Sequence, residues 1–382
     1  MNFSLSEEEQ MLQSTARKYL ESLGGIQLSH DYMLNKEGTI HSLWDGVSNL
    51  GLTGLLVPEK YEGMGLGLTS MIPIAEEIGR YLLPLPFLES AIFGTVLISM
   101  AGTEEQKMAY LTGIADGSIQ VGLCLNLSEH TIEKIPSGIL AKRINNSFVL
   151  TGEISHVRYG MDVNHFIVIA DVSGEVQKAV FLVTRNQEGI TVKPGYSLDR
   201  TAENANIIFN NVIVHSKSLL GGKLGLLGVL ESTDAMNASL CSTMVGGMGK
   251  VVEMAAEYAK IRQQFGQPIG RFQAIKHRIA DMKVELEISR SLSYYAAIAI
   301  DDQLPNKEQI VSAAKAFCSE AYVRIASHNI QIHGGIGVTA EHDAHLYLKR
   351  AKVVEGYGGT PVLHRERIAD DLNLREEVPN SL

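Results

Sequence analysis

The spacing of apolar residues divides the chain into three parts. Close to the N-terminus, Ser6 and Glu9 form the pattern of a capping box, and apolar residues then recur at helical intervals. Further helical patterns run from Leu43 to Leu50, from Thr69 to Tyr81, from Phe87 to Ala101 and from Glu104 to Gly113. The first part, residues 1–118, is therefore predicted to be an all-helical domain.

From Val121 onward the apolar period changes to that of β-strands. Five short runs rich in β-branched residues follow, namely V-G-L-C-L-N-L, F-V-L-T-G, H-F-I-V-I-A-D-V, A-V-F-L-V-T and A-N-I-I-F-N-N-V-I-V. These runs predict a β domain over residues 119–222. The run G-G-K-L-G-L-L-G from Gly221 is interpreted as a linker, after which helical spacing returns at about Leu226. Residues 223–382 are predicted to form a C-terminal helical domain.

Composition and charge exclude several classes of partner. The 382 residues are 45% hydrophobic and carry a formal net charge of -10, without a long basic run. Such a chain is not expected to bind nucleic acid or an anionic membrane surface. No apolar segment is long enough to span a bilayer, and the N-terminus lacks a secretion pattern, so we expect a cytoplasmic protein without membrane insertion. Cys124, Cys241 and Cys318 are odd in number and widely separated, which argues against disulfides or a zinc site.

Two glycine turns interrupt the helical pattern near the C-terminus. Gly334, Gly335 and Gly337 follow one apolar helical segment, and Gly358 and Gly359 follow the next. Glycine tolerates positive φ and lets the backbone approach a ligand without interference from a Cβ atom. Both turns are expected to expose backbone N–H groups that could contact a phosphate or a carbonyl oxygen.

The sequence around these turns resembles that of the acyl-CoA dehydrogenase family. The resemblance rests on Q-I-H-G-G-I-G-V-T-A-E-H-D-A-H-L-Y-L-K-R-A from Gln331 and on R-Q-Q-F-G-Q-P-I-G-R-F-Q-A-I-K-H-R-I-A-D-M from Arg262, and it extends over nearly the whole chain. It implies an α+β fold with an N-terminal helical domain, a middle β-sandwich or barrel and a C-terminal four-helix bundle. It also implies FAD as cofactor, an acyl-CoA thioester as substrate, a tetramer, and electron-transfer flavoprotein as electron acceptor.

Family members bind FAD across a subunit interface, and the resemblance assigns this chain an ADP clamp that it would offer to a neighbour's cofactor. The clamp positions are Arg262, Gln264, Phe265, Gln331, Gly334 and Gly335. A guanidinium group suits pyrophosphate, and glycines supply N–H donors at close approach. The clamp is predicted to be intact.

The flavin-ring cradle that the family builds in its β domain is altered in this chain. Asn126 stands where the family has Thr, His156 where it has Trp, and Arg158 where it has Thr. Asn126 and Thr360 are the remaining positions that the resemblance assigns to cofactor binding. The cradle is predicted to be lost.

The catalytic base is missing from both positions that the family uses. The Glu of the family's Y-E-G-T turn is replaced by Gly358, and the alternative position on the long helix holds Met236. Removal of an α-proton needs a carboxylate within hydrogen-bond reach. Asp234 and Glu355 are nearby carboxylates, but for each we favour a solvated or capping role.

Two further clusters of polar residues could suggest binding sites, but we expect both to have structural roles. His342 and His345 superficially suggest a helical metal site, but metal ligands on one helix face usually lie four residues apart, and the matching family helix binds no metal. Lys349, Arg350 and Lys352 are interpreted as a solvated basic face.

These losses favour one hypothesis over two others. Some family members are heteromers in which one subunit holds the base and its partner completes the cofactor site. We expect this chain to be the subunit without a base, in an α2β2 tetramer with a paralogous subunit. The alternatives are a self-sufficient homotetrameric dehydrogenase with a relocated carboxylate base, and a non-redox acyl-CoA-binding or scaffold protein.

Overall fold

The described residues of the N-terminal part form helices and no strands. The computed structural model describes residues 6–34, 38–125, 137–175, 177–372 and 374. The helices of this part are α1 (Glu7–Ser22), α2 (Gln27–Met33), α3 (Thr39–Asn49), α4 (Ile72–Arg80), α5 (Thr95–Ala101) and α6 (Glu104–Ala115). The predicted capping box is confirmed, since the Ser6 hydroxyl accepts from the Glu9 N–H and the Glu9 carboxylate accepts from the Ser6 N–H. A π-helical segment, Leu88–Gly94, leads directly into α5.

The middle part is built on a seven-stranded mixed sheet. Its strands are β1 (Val121–Cys124), β2 (Ile139–Ile144), β3 (Ser147–Arg158), β4 (His165–Val172), β5 (Lys178–Thr184), β6 (Ile190–Pro194) and β7 (Asn204–His215). Their order is β1-β4-β2-β3-β7-β6, and β5 pairs with β4. The apolar runs predict five of the strands but not β2 or β6, of which β2 buries only two residues and β6 buries none completely.

The C-terminal part contains three long helices and two shorter ones. They are α7 (Lys223–Ile261), α8 (Gln273–Asp301), α9 (Lys307–His333), α10 (Ala344–Gly356) and α11 (Pro361–Asp371), with a two-residue hairpin, β8 (Gln263–Gln264) and β9 (Gln267–Pro268), after α7. The linker predicted from Gly221 is too long, since α7 begins at Lys223. At 1.5 Å per residue, the 39 residues of α7 span about 58 Å.

Helix α7 forms the centre of the hydrophobic core. It packs against α4, α5, α8, α9 and α10, and it is apolar and buried on several faces. The middle sheet has a second apolar cluster of its own, which includes Phe148, Phe166, Phe181 and Phe209. Because α7 packs against five other helices, groups along its buried middle are fixed in position relative to one another.

Candidate cofactor and substrate sites

The motif that begins at Arg262 exposes an aromatic ring to solvent. The hairpin of β8 and β9 turns at Phe265 and Gly266, both of which have positive φ, as a type I′ turn requires. Phe265 is 91% exposed, and Arg262 and Gln264 beside it are exposed as well. An exposed phenylalanine held at φ 51° is a costly conformation, of the kind that concentrates at binding sites.

The glycine turn at Gly334 and Gly335 follows a helix that contacts the last turn of α7, just before this hairpin. Helix α9 ends at His333, and the His333 ring stacks on Tyr258 of α7 with 4.3 Å between ring centroids. Gln331, Gly334 and Gly335 at this end of α9 are exposed, and a Cβ atom added to either glycine would meet no other atom within 4 Å. Since Tyr258 lies one helical turn before Arg262, this stacking places the end of α9 against the last turn of α7, and all six residues predicted for the clamp are exposed near these two helix ends.

The turn from Tyr357 to Thr360 lies at a different place in the fold. Asn237 on α7 donates from Nδ2 to the Gly358 carbonyl at 2.9 Å, which fixes the turn against the N-terminal half of α7. Arg262 follows Asn237 by 25 residues, so the clamp is about 37 Å away along the helix. The clamp cannot serve a ligand at this chain's own turn.

The second glycine turn is buried, which corrects the expectation that both turns expose their backbone. The Gly358 carbonyl also accepts from His364 Nε2 at 3.1 Å, and the Gly359 carbonyl accepts from Lys315 Nζ at 3.0 Å. Three buried polar side chains from α7, α9 and α11 thus hold the turn. Thr360 is exposed at its end, and its hydroxyl accepts from the Leu363 N–H as the N-cap of α11.

The position of the usual catalytic base has no room for a side chain. Gly358 has φ 73°, and a Cβ atom added there would lie 2.0 Å from Asn237 Oδ1. Met236, at the alternative position, is fully buried. Neither position can offer a carboxylate in this conformation.

The two nearby carboxylates are both engaged elsewhere. Asp234 is buried and forms a two-pronged ion pair with Arg367 of α11, so the predicted solvated or capping role is wrong for this residue. Burial raises the pKa of Asp234, and the Arg367 guanidinium opposes that shift. Glu355 is half-buried and accepts from Lys352 Nζ at 3.1 Å. Neither carboxylate is free to act as a base.

A cavity of about 410 Å³ lies between β3 and the turn at Gly358. It is lined mainly by Leu123, Leu125, Ile154, His156, Arg158 and Tyr357. His156 is exposed and has φ 64°, at an irregularity where the pairing of β3 with β7 shifts register. Asn126, which was predicted to bind the cofactor, lies outside the described residues.

Arg158, one of the altered cradle residues, forms a buried cluster that the sequence did not predict. Its guanidinium lies 4.7 Å from the centre of the Tyr357 ring, and its Nη1 lies 3.8 Å from Oε1 of Glu89. The Tyr357 hydroxyl donates to the same Glu89 oxygen at 2.7 Å. Burial, and next the Glu89 charge, raise the pKa of Tyr357, so the hydroxyl keeps its proton and remains the donor.

Arg350 is buried, so its predicted place on a solvated basic face is wrong. It is paired with Asp199 and also donates from Nη2 to the Thr201 hydroxyl at 2.6 Å. Lys352 is exposed and Lys349 is half-buried. The pair of Arg350 and Asp199 joins α10 to the loop before β7.

The remaining candidate groups have ordinary structural contacts. His342 packs against the His333 ring, and its Nδ1 accepts from the Ala344 N–H at 3.1 Å. In the described part of the chain, no group of three or more His, Cys, Asp or Glu side chains could hold a metal ion. The three cysteines are buried and free. None of the helices in the described ranges combines the length and hydropathy that a membrane span requires.

Comparisons with known proteins agree with this architecture. Residues 6–118 match the family model for the acyl-CoA dehydrogenase N-terminal domain, and residues 225–373 match that for the C-terminal domain. The chain is 30% identical over 326 residues to an acyl-CoA dehydrogenase of Bacillus subtilis (strain 168), covering 82% of this chain and 85% of that protein. It is 29% identical to the probable acyl-CoA dehydrogenase YngJ of the same strain, covering 97% of this chain and all of YngJ.

A solved structure shows the same fold along the whole chain. The structure is a variant of the Tcur3481-Tcur3483 steroid ACAD, with a TM-score of 0.84 and 26% identity, covering 97% of this chain and 99% of that one. The chain belongs to the acyl-CoA dehydrogenase family, whose members are flavin-dependent oxidoreductases that act on CH–CH groups.

Proposed function

We propose that this chain is the subunit without a catalytic base in a heteromeric acyl-CoA dehydrogenase. The observation that carries the proposal is the occupied space at Gly358, where Asn237 stands 2.0 Å from the position of any Cβ atom. The residues predicted for the clamp, by contrast, are all exposed, and Arg262 lies about 37 Å away along α7. The chain can therefore support a cofactor in another subunit but offers no base of its own.

The two halves of the molecule differ in how well they fit FAD. At the clamp, the Arg262 guanidinium, the exposed Phe265 ring and the open turn at Gly334 and Gly335 fit an ADP group, which needs donors for pyrophosphate and a surface for a planar base. At the chain's own cavity, Gly358 and Arg158 replace the groups that the dehydrogenation requires, so no catalytic step is assigned there. FAD bound by the clamp would accept hydride in the partner's active site.

The proposed partner is a paralogous subunit that carries the carboxylate base and an intact flavin cradle. We infer an α2β2 tetramer, with an acyl-CoA as the partner's substrate and electron-transfer flavoprotein as acceptor. The double name of the Tcur3481-Tcur3483 steroid ACAD supports an assembly of two different chains.

The first experiment is a visible absorption spectrum of the purified chain, recorded with and without its co-expressed paralogue. We expect the chain alone to be colourless and inert towards acyl-CoAs, and the co-expressed complex to be yellow and to bleach with substrate. Bleaching of flavin in the chain alone would overturn the proposal in favour of a self-sufficient dehydrogenase. A protein that stays colourless with every paralogue yet binds CoA thioesters would instead be a non-redox binding protein.

A further inference from the structure

The space between the N-terminal helices, β3 and α7 is nearly filled. A gap of only about 20 Å³ remains there, and Glu89, Leu240 and Arg158 are among the residues that line it. A volume of this size holds about one water molecule. No acyl chain can enter this space in the observed conformation.

Arg158 separates this gap from the larger cavity, because its side chain lines both of them. The guanidinium contacts both the Tyr357 and the Tyr159 rings, at 4.7 and 5.2 Å from their centres. The Tyr357 ring lines the cavity, whereas Glu89, which accepts its hydroxyl hydrogen bond, lines the gap. The Glu89, Arg158 and Tyr357 side chains therefore cross the boundary between the two spaces and close it.

We propose that Glu89, Arg158 and Tyr357 form a barrier that excludes the acyl group of a CoA thioester from this chain's own site. The inference rests on the proposed function and adds to it the residues that determine which subunit takes substrate. Loss of the base alone would leave an acyl-binding space in which substrate could bind without reacting. The barrier removes that space.

Several buried polar atoms of the barrier lack hydrogen-bond partners, so its residues can be replaced with little loss of stability. In the described part of the chain, Glu89 Oε2 and the Nε and Nη1 atoms of Arg158 are buried without a hydrogen-bond partner. Unpaired buried polar atoms oppose folding, and replacement of a buried ion pair by apolar groups of similar size is often neutral or stabilising. Removal of both charges together is therefore compatible with a folded protein.

Two double variants that differ only at residue 158 test the barrier. Glu89→Gln/Arg158→Thr removes the long side chain and opens the boundary, whereas Glu89→Gln/Arg158→Met removes the same charges but keeps the space filled. Binding of butyryl-CoA and of CoA alone is measured by calorimetry on the full chain. We expect the Thr variant to bind butyryl-CoA at least tenfold more tightly than CoA, and the native chain and the Met variant to show no such preference.

The inference is overturned if the native chain already prefers butyryl-CoA, or if the Thr and Met variants behave alike. If the Thr variant does not fold, Glu89→Gln/Tyr357→Ala opens the barrier from the other side, with Glu89→Gln/Tyr357→Phe as its filled control and the same expected preference. A different result would overturn the proposed function, namely bleaching of bound flavin by acyl-CoA in the native chain alone. Binding of butyryl-CoA without bleaching contradicts only the barrier.

Discussion

The two ends of the C-terminal domain show opposite designs built on the same helices. At the clamp end, Arg262, Phe265 and Gly334 are exposed, and the backbone at the turn of the hairpin has positive φ. At the other end, the turn at Gly358 is buried and held by side chains from three helices. Exposed groups that contribute little to folding are typical of a ligand-binding site. Buried polar contacts like those at Gly358 are typical of a structural element.

The largest effect is expected where a buried charge at the turn end loses its partner. Arg350→Ala leaves the buried Asp199 carboxylate unpaired, which should destabilise the protein by about 3 to 5 kcal/mol in chemical denaturation. Lys352→Ala on the exposed face of the same helix is the control and should cost less than about 0.5 kcal/mol. Equal losses in both variants would contradict the assignment of Arg350 to the buried structure.

At the clamp end, a substitution should change cofactor binding and leave stability unchanged. Arg262→Ala removes a charged donor proposed for pyrophosphate, which corresponds to about 2 to 3 kcal/mol, or a 30- to 150-fold weaker retention of FAD by the complex with the paralogue. Lys276→Ala, an exposed cation on the following helix, is the matched control. The proposal fails if the two variants retain FAD equally, as measured by flavin fluorescence after dilution.

Restoring a carboxylate at the turn should not restore activity. Gly358→Glu places a side chain at positive φ and against Asn237, so we expect a loss of about 2 kcal/mol in stability and no turnover by the chain alone. Gly356→Glu is the control, because an added Cβ there meets nothing within 4 Å. A stable, active Gly358→Glu protein would show that the turn end is a catalytic site that lacks only its base.

The last effect concerns pH, and it is the smallest when it is counted within a single pH unit. Burial lowers the pKa of Lys315 to about 8 from its ordinary 10.5. Between these values the unfolded chain binds more protons than the folded one, so stability should rise with pH by up to about 1.4 kcal/mol per unit, and below pH 8 the contribution should be flat. Lys315→Met should remove this rise in denaturation measured across the interval, and Lys352→Met should retain it.

The sequence alone could predict most of the fold, whereas its assignment of the clamp residues stays a prediction. Apolar period and turn residues are local signals, so the sequence predicts the helices and five of the seven strands of the large sheet. The sequence also shows that Gly358 and Met236 replace a carboxylate. The burial of individual side chains is harder to predict from the sequence. Arg350 looks like a surface residue until the fold brings Asp199, 151 positions earlier in the chain, into contact with it.

Glu89 and Asp234 show the same limit for carboxylates. Glu89 was not singled out, because nothing near it in the sequence indicates that Arg158 and Tyr357 approach it. The sequence favours a solvated or capping role for Asp234, because its partner, Arg367, comes from the last helix. A charged residue within an apolar helix such as α7 is a local sign of a buried ion pair, but the sequence does not name the partner.

The separation of the clamp from the turn also has a genetic consequence. Under the proposed assembly, the gene for this chain and the gene for its paralogue would each encode part of the same active site. A null allele of either gene would then abolish one activity. A clamp mutation in this gene would be complemented only by an intact copy of the same gene, even though the lost cofactor belongs to the other gene's product.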